Sequence, residues 1–311
     1  MKLHFPAASV DSICRLFGNS RQAYYKHLTR KADSAIEEAF VVDMVRTIRL
    51  DMPRIGCLKL HYLLGSSFDD HHFSIGRDRF CNLLRANDLM VKTRKRFLIP
   101  RTTNSDHPYR KWPDLTPGLI LSRAGQLWVS DITYVRTKED GFVYLSLITD
   151  AFSRKIVGHH LSHSLSARGC VSALNKAIAT LSEGSHVVHH SDRGIQYCCA
   201  QYVGRLKDNH ISISMTQSGS PYENAKAERV NGILKTELGL KAEFANYRAA
   251  LIGVAKAIDT YNRLRPHMSC AMLTPARAHE LSGPGPGAKR HVRCRGVAAA
   301  TPRPDLKAYK K

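Results

Sequence analysis

The chain has 311 residues and 43% hydrophobic content, enough for a sizeable core and about two domains. Lys and Arg number 47 against 26 Asp and Glu, a formal net charge of +21; a chain this basic points to a polyanionic partner, with nucleic acid the default. No run of about 18 apolar residues occurs, which excludes a helical membrane span, and residues 1–17 hold no clean apolar stretch of the kind a secretory leader needs.

The eight cysteines are scattered without a C-x-x-C pair, so free thiols in a reducing cytoplasm are expected rather than a disulfide framework. In residues 7–30, Val10, Ile13, Cys14 and Phe17 make a short helical face, and Gly18-Asn19-Ser20 reads as a stop followed by an N-cap. A second helix is expected over Arg21–Leu28. The pattern suits a small helix-turn-helix and equally a plain helical hairpin. Further helical segments are expected from Ala39 to Ile48, over Leu58–Leu64, and from Ser74 through Phe80, Leu83 and Leu84 to Asn87. Arg77, Arg79 and Arg85 are candidates for phosphate and base contacts, with solvated surface charge the competing reading. Cys57, His61, His71, His72 and Cys81 have the residue types of a structural zinc site but not its short fixed spacings.

Residues 92–117 carry four prolines and seven Lys or Arg without regular periodicity, which marks a basic linker, taken as 92–120. Within it Arg94, Lys95 and Arg96 are candidates to track a DNA backbone. Strands are then expected at 127–137, 142–151 and 154–161, joined by short turns into an antiparallel meander. A helix at 166–182, a strand at 186–190, a helix at 198–209 and a strand at 211–214 follow. Another helix spans 247–262. The last thirty residues, rich in Gly, Pro and basic side chains, read as a disordered basic tail.

Three carboxylates stand where a bland sequence would not put them. Asp131 interrupts the strand LWVSDITYV, where burying a carboxylate is costly without compensation. Asp192 follows the strand His186–His189 in the turn-like Ser191-Asp192-Arg193-Gly194. Glu228 lies on a helix opened by Ser220-Pro221-Tyr222-Glu223-Asn224. On that helix Ala227, Val230, Leu234 and Leu238 form an apolar stripe, and Asn224, Glu228, Asn231 and Lys235 a polar band along its edge. Three convergent carboxylates without matching buried bases call for divalent cations, and oxygen ligands favour magnesium or manganese over zinc. Ser191 beside His190 lacks the G-x-S-x-G elbow of a hydrolase. Cys198-Cys199 reads as packing, and His189-His190 lacks zinc partners at ligand spacing.

The motifs WVSDITYV, HSDRGIQY and SPYENAKAERVNGILKTEL, followed by YNRLRPH and LTPA, resemble the transposases of bacterial insertion sequences in the IS-three family, whose core is like that of retroviral integrases. The resemblance covers residues 40–280 and includes the 35 residues between Asp192 and Glu228 and the basic residue Lys235 seven positions after the glutamate. It implies an α/β fold: a ribonuclease H-like mixed five-stranded sheet with flanking helices, preceded by a small all-α helix-turn-helix region. The expected divisions are a helical DNA-binding region 1–91, the linker 92–120, a catalytic core with C-terminal helices 121–281 and the tail 282–311.

In that reading Asp131, Asp192 and Glu228 are the catalytic triad and hold two divalent cations, Mg2+ or Mn2+, for phosphodiester transfer on DNA. Lys235, Asn224 and Asn231 join Arg94, Lys95 and Arg96 as DNA-contacting candidates, and His190 and Asn224 are candidates to support the acids. The implied partners are the element's terminal repeats and target DNA, further copies of the chain on DNA, and the product of an upstream reading frame. Arg229 departs from the Ser that many relatives carry after the glutamate, and no zipper-like heptad run stands out near the N-terminus. Two competing readings share the fold: a nuclease that cuts without joining, and a catalytically inactive DNA-binding protein.

Overall fold

The computed structural model describes residues 9–71, 74–92, 106–182, 184–217 and 224–281. Arg94, Lys95, Arg96 and the tail 282–311 lie outside the described residues. The expected α/β architecture is present: helices first, then a mixed sheet with helices on both faces.

Helix α1 (Val10–Leu16) is short, and Ser20 caps α2 (Arg21–Asp51) by accepting the Ala23 N–H at 3.1 Å. α2 runs unbroken for 31 residues, where separate segments ending at Leu28 and resuming at Ala39 were expected. No Gly or Pro interrupts it, so nothing in the backbone forces a stop. Its second half buries Val41, Val42, Val45 and Ile48 against α3 (Cys57–Asp70) and α4 (Arg77–Ala86) through Leu60, Leu63, Leu64, Phe80 and Leu84.

Two expectations for this region change. Cys57 and Cys81 form a disulfide between α3 and α4, so free thiols throughout is incorrect. Packing of the two helices places their Cα atoms 6.1 Å apart, within reach of a bridge. The pairing removes two of the five candidate zinc ligands, and His61 Nε2 lies 2.8 Å from the Ile75 carbonyl oxygen. Among the described residues, Cys14, Cys170, Cys198, Cys199 and Cys270 form no disulfide. Among the DNA-contact candidates on α4, Arg79 is held by Glu38 at 3.0 Å and by Ser34, both on α2, and Arg77 pairs with its neighbour Asp78.

The described part of the expected linker is stitched to the sheet. The Met215 N–H donates to the Pro113 carbonyl at 3.2 Å, the Leu115 N–H to Ser214 Oγ at 2.9 Å, and Gln217 Nε2 to the Trp112 carbonyl at 3.0 Å.

The sheet comprises β1 (Leu127–Thr137), β2 (Phe142–Asp150), β3 (Ile156–Ser162), β4 (Val188–Ser191) and β5 (Ser212–Met215) in the order β3-β2-β1-β4-β5. The first three are antiparallel; β4 and β5 run parallel to β1. The two-residue β6 (Glu243–Phe244) pairs with the far end of β1; it is too short for a sequence pattern to reveal. Gly141, at φ 71°, turns β1 into β2, a conformation that suits glycine.

One sheet face, with Trp128, Ile132 and Ile148, is covered by α5 (Ala167–Ile178), the short α6 (Ile195–Cys198) and α7 (Ala200–Asp208). α5 approaches so closely that a Cβ at Gly158 would stand 2.2 Å from the Ala173 carbonyl oxygen. The other face, with Val135, Leu145 and Leu147, packs on α8 (Ala225–Thr236) and α9 (Tyr247–Arg263), and this core is continuous with that of α2, α3 and α4. α10 (Pro275–Leu281), which the sequence pattern left unassigned, ends the described chain.

Candidate active site

The site lies where β1 and β4 run side by side in the middle of the sheet. Val129 pairs with His190 in parallel register, and Asp131 and Asp192 each stand two residues further along their chains. Alternation along strands gives residues two apart the same side, so the register alone sends both aspartates toward one face. Asp131 is still within β1, while Asp192 follows the last residue of β4. This matches the expected mid-sheet and strand-end positions.

Asp192 is shaped by its turn. Its Oδ1 accepts the Gly194 N–H at 3.0 Å, the local bond by which Asp favours turns. The next carbonyl, of Arg193, lies 2.8 Å from His107 Nε2, which donates to it. The segment before β1 thus holds the turn in place. His190 braces the strand from the β5 side: its Nδ1 lies 2.8 Å from Ser214 Oγ, and Asp114 is 3.6 Å away. His189 is buried against Ser130 Oγ and the Tyr202 hydroxyl, 2.6 and 2.8 Å from its Nε2. Burial lowers its pKa to about 3, so it is a neutral structural group.

The third acid comes from α8, which crosses the same face. Asn224 is its N-cap residue but makes no capping bond with its side chain; instead Nδ2 donates to the Ser130 carbonyl at 2.9 Å. This anchors the start of the helix beside Asp131. Glu228 occupies the first turn and is exposed, a position where the helix dipole favours negative charge. Asn231, three residues on, donates Nδ2 to Asp131 Oδ2 at 2.7 Å. The polar band read from the helix period therefore faces the aspartate.

The two asparagines expected among the DNA contacts are each only 7% exposed and direct their amide N–H groups to β1. Their geometry is that of positioning groups. Lys235, a turn beyond Asn231, places Nζ 3.7 Å from the centre of the Tyr134 ring, a cation–π contact. Burial lowers its pKa to about 8, opposed by the nearby Asp131 carboxylate.

Asp131 carries the electrostatic signature of the site. Its pKa rises to about 7, chiefly through burial and then through the charge of Asp192, with Glu228 adding a smaller push; the bonds from Asn231 and from the Ile132 N–H oppose the rise. The protein thus brings like charges together around a desolvated carboxylate and compensates them incompletely. The donor set of three carboxylates fits hard divalent cations. Among the described residues no three His, Cys, Asp or Glu side chains are gathered tightly enough to enclose a single ion.

One buried ion cluster escaped the sequence reading. Glu237, just past α8, accepts two bonds from Arg265 at 2.9 and 3.0 Å and two from Lys59 of α3 at 3.1 and 3.0 Å. The Arg54 N–H donates to the Glu237 carbonyl. This clamp fixes the exit of the helix that carries Glu228 and ties it to the N-terminal helices. Its one visible signal was Arg265 within YNRLRPH.

An integrase core domain family matches residues 122–221, and a second family of the same description matches residues 209–275. The insertion element IS600 uncharacterized 31 kDa protein of Shigella sonnei is 30% identical over 276 residues, covering 86% of this chain and 97% of that protein. Transposase InsF for insertion sequence IS3A of Escherichia coli is 36% identical over 162 residues, 52% of this chain and 56% of the relative. Among solved structures, a simian T-cell lymphotropic virus intasome in complex with a PP2A regulatory subunit aligns at 20% identity and TM-score 0.45, covering 79% of this chain and 81% of that one. The chain belongs to the IS3-family insertion-sequence transposases, polynucleotidyl transferases with an integrase-like core.

Proposed function

We propose that the protein cleaves DNA at the ends of an insertion element and joins the freed ends to other DNA, using Asp131, Asp192 and Glu228 as ligands of two divalent cations, Mg2+ or Mn2+. The observation that carries this reading is the desolvated Asp131 carboxylate beside Asp192 and Glu228, its pKa raised to about 7. Like charges gathered around a desolvated carboxylate at the strand ends of an α/β sheet mark a candidate functional site.

When bound, the cations supply a Lewis-acid clamp on the scissile phosphate and activate the attacking oxygen. The residues do the rest. Asp131 of β1 would be the ligand common to both cations, and Asp192 and Glu228 would hold one each. Asn231 holds Oδ2 of Asp131 and the Ile132 N–H holds Oδ1, which together fix the carboxylate. Asn224 keeps α8 in register with β1, and Glu228 reaches in from the exposed edge. In-line displacement by water and then by a DNA 3′-hydroxyl needs no covalent protein intermediate.

Lys235 stays largely protonated at neutral pH with a pKa of about 8 and is the proposed phosphate contact nearest the site. Arg94, Lys95 and Arg96 are proposed to contact the DNA backbone ahead of it. DNA is the partner this reading requires, with at least two copies of the chain needed to bring two ends together, in the bacterial cytoplasm. The upstream reading-frame product expected from the family is not part of the proposal. No helix among the described residues is long and apolar enough to cross a membrane.

The test incubates the protein with Mg2+ or Mn2+ and DNA carrying the sequences that flank its gene, beside Glu228→Gln. Metal-dependent nicked and joined strands, absent with the variant, are expected. Nicking without joining would favour the nuclease reading; binding without any cleavage would favour the inactive one.

A further inference from the structure

The bridged cysteines differ from the others in their surroundings. Cys14, Cys170, Cys198 and Cys270 are buried, and burial raises the thiol pKa of Cys170 to about 12 and that of Cys198 to about 11. Thiols in such surroundings are inert. Cys57 and Cys81, joined to each other, are only half-buried, so a small thiol can reach them. Cys57 is also the first residue of α3, where the helix dipole favours a departing thiolate and so speeds exchange. In the cytoplasm proposed for this chain, a disulfide is usually transient and redox-sensing rather than structural.

The bridge matters most to α4. α3 is held firmly: Leu60, Leu63, Leu64 and Phe68 are buried, and Lys59 is bonded to Glu237. α4 has ten residues, too few for a helix to persist by itself. Its apolar anchors are Phe80, Leu83 and Leu84, and His61 of α3 bonds the Ile75 carbonyl just ahead of it. Its link to α2 runs through Arg79 and Glu38, whose side chains are 47% and 38% exposed, and pairs that exposed contribute little. A cross-link between residues 24 apart restricts the opened chain, so the bridge suppresses local opening of α4.

We infer that Cys57 and Cys81 are a reversible thiol–disulfide couple that locks α4 onto α3 when oxidised and lets α4 open when reduced. Two thiols of a cellular dithiol, or of two glutathione molecules, supply the two electrons and two protons. One thiolate attacks a bridge sulfur, forming a mixed disulfide and releasing the other cysteine as a thiol. The second thiolate then displaces the remaining cysteine, and the reductant leaves as a disulfide. Glutathione disulfide drives the same steps in reverse. The functional consequence rests on the proposed action on DNA: a helix-turn-helix presents its second helix to the duplex, here α4, so the oxidised chain holds DNA more tightly than the reduced one.

The test equilibrates the full chain in glutathione buffers from reducing to oxidising, beside Cys81→Ser. Alkylation with mass spectrometry follows the bridge, hydrogen exchange follows α4, and a titration follows affinity for duplex DNA carrying the sequences that flank the gene. The bridge is expected to open and close reversibly without denaturant. On reduction the α4 amides should exchange about tenfold or more faster, and DNA affinity should fall about tenfold as the competent fraction falls. Cys81→Ser should match the reduced chain in every buffer; if circular dichroism shows that it has lost its helices, the reduced unaltered chain itself carries the comparison. A bridge that never forms, one that resists reduction until the chain unfolds, or equal exchange or equal DNA affinity in the two states would overturn the inference. Exchange in α4 that follows the bridge, with no DNA bound in either state, would support the couple and count against the proposed function instead.

Discussion

Asn231 donates its side-chain amide to Asp131 at 2.7 Å, joining α8 to the central strand through the carboxylate itself. The bond holds Oδ2, while Oδ1 accepts the Ile132 N–H at 2.8 Å, so the carboxylate is fixed at both oxygens. Replacing a group that orients a metal-binding carboxylate typically costs 10–100-fold in metal affinity or activity. Asn231→Ala is therefore expected to lower strand cleavage by about 10–100-fold and to raise the metal concentration needed for half-maximal rate. DNA affinity should change little, which a binding titration run beside the cleavage assay checks.

The elevated pKa of Asp131 predicts an unusual pH dependence. In the fold this carboxyl titrates at about 7 against an ordinary 3.8. Between these values the native state keeps a proton that the unfolded chain has lost, so the contribution of this group to stability is full below about pH 4 and declines as pH rises through 7. The stability of metal-free protein minus that of Asp131→Asn should fall by about 2–4 kcal/mol from pH 4.5 to 8. Denaturant melts across that range check it. Mg2+ added at pH 8 should recover part of the loss for the unaltered chain and none for the variant.

Lys235, over the Tyr134 ring and within the field of Asp131, is expected to act through its charge. Lys235→Ala should weaken DNA binding for all sequences alike and reduce the salt slope of log K by about one. Lys235→Arg should keep most of the affinity. Binding isotherms at several salt concentrations separate the two outcomes.

The clamp of Arg265 and Lys59 on Glu237 is a buried ion cluster, with Arg265 only 2% exposed. Burial lowers the pKa of Lys59 despite its partner, whereas the bonds from Arg265 and Lys59 lower that of Glu237 despite burial. The charged Glu237 is thus the favoured form. Arg265→Met should cost about 3–5 kcal/mol by leaving a buried charge short of its partner. Arg265→Met combined with Glu237→Gln should cost less than Arg265→Met alone, since the uncompensated charge is then gone. Chemical denaturation of the two variants checks this.

Much of the core was legible because local and global signals agree there. β1, β2 and β3 are bounded by turn residues and rich in β-branched side chains, and the period of α8 alone put Asn231 and Lys235 on the edge shared with Glu228. The rest depends on contacts that no local pattern encodes. α2 looked like separate segments because its apolar residues lie on two opposite faces. The Cys57–Cys81 bridge joins residues 24 apart in sequence, and the salt bridge of Lys59 with Glu237 spans 178. The proline-rich run before β1 looked like a free linker, yet its carbonyls and N–H groups complete the edge of β5. The asparagines were read as DNA contacts because their burial follows only from how α8 crosses the sheet.

The central claim is that Glu228, alone on α8, joins the two strand aspartates in holding the cations. Glu228→Cys tests it most directly, since the position is exposed and the change leaves the core intact, while a thiolate prefers softer metals than Mg2+. The variant should be inactive in cleavage and joining with Mg2+ and regain part of its activity with Mn2+. Activity with Mg2+ equal to that of the unaltered chain, or equal inactivity of the folded variant with both metals, would contradict the assignment.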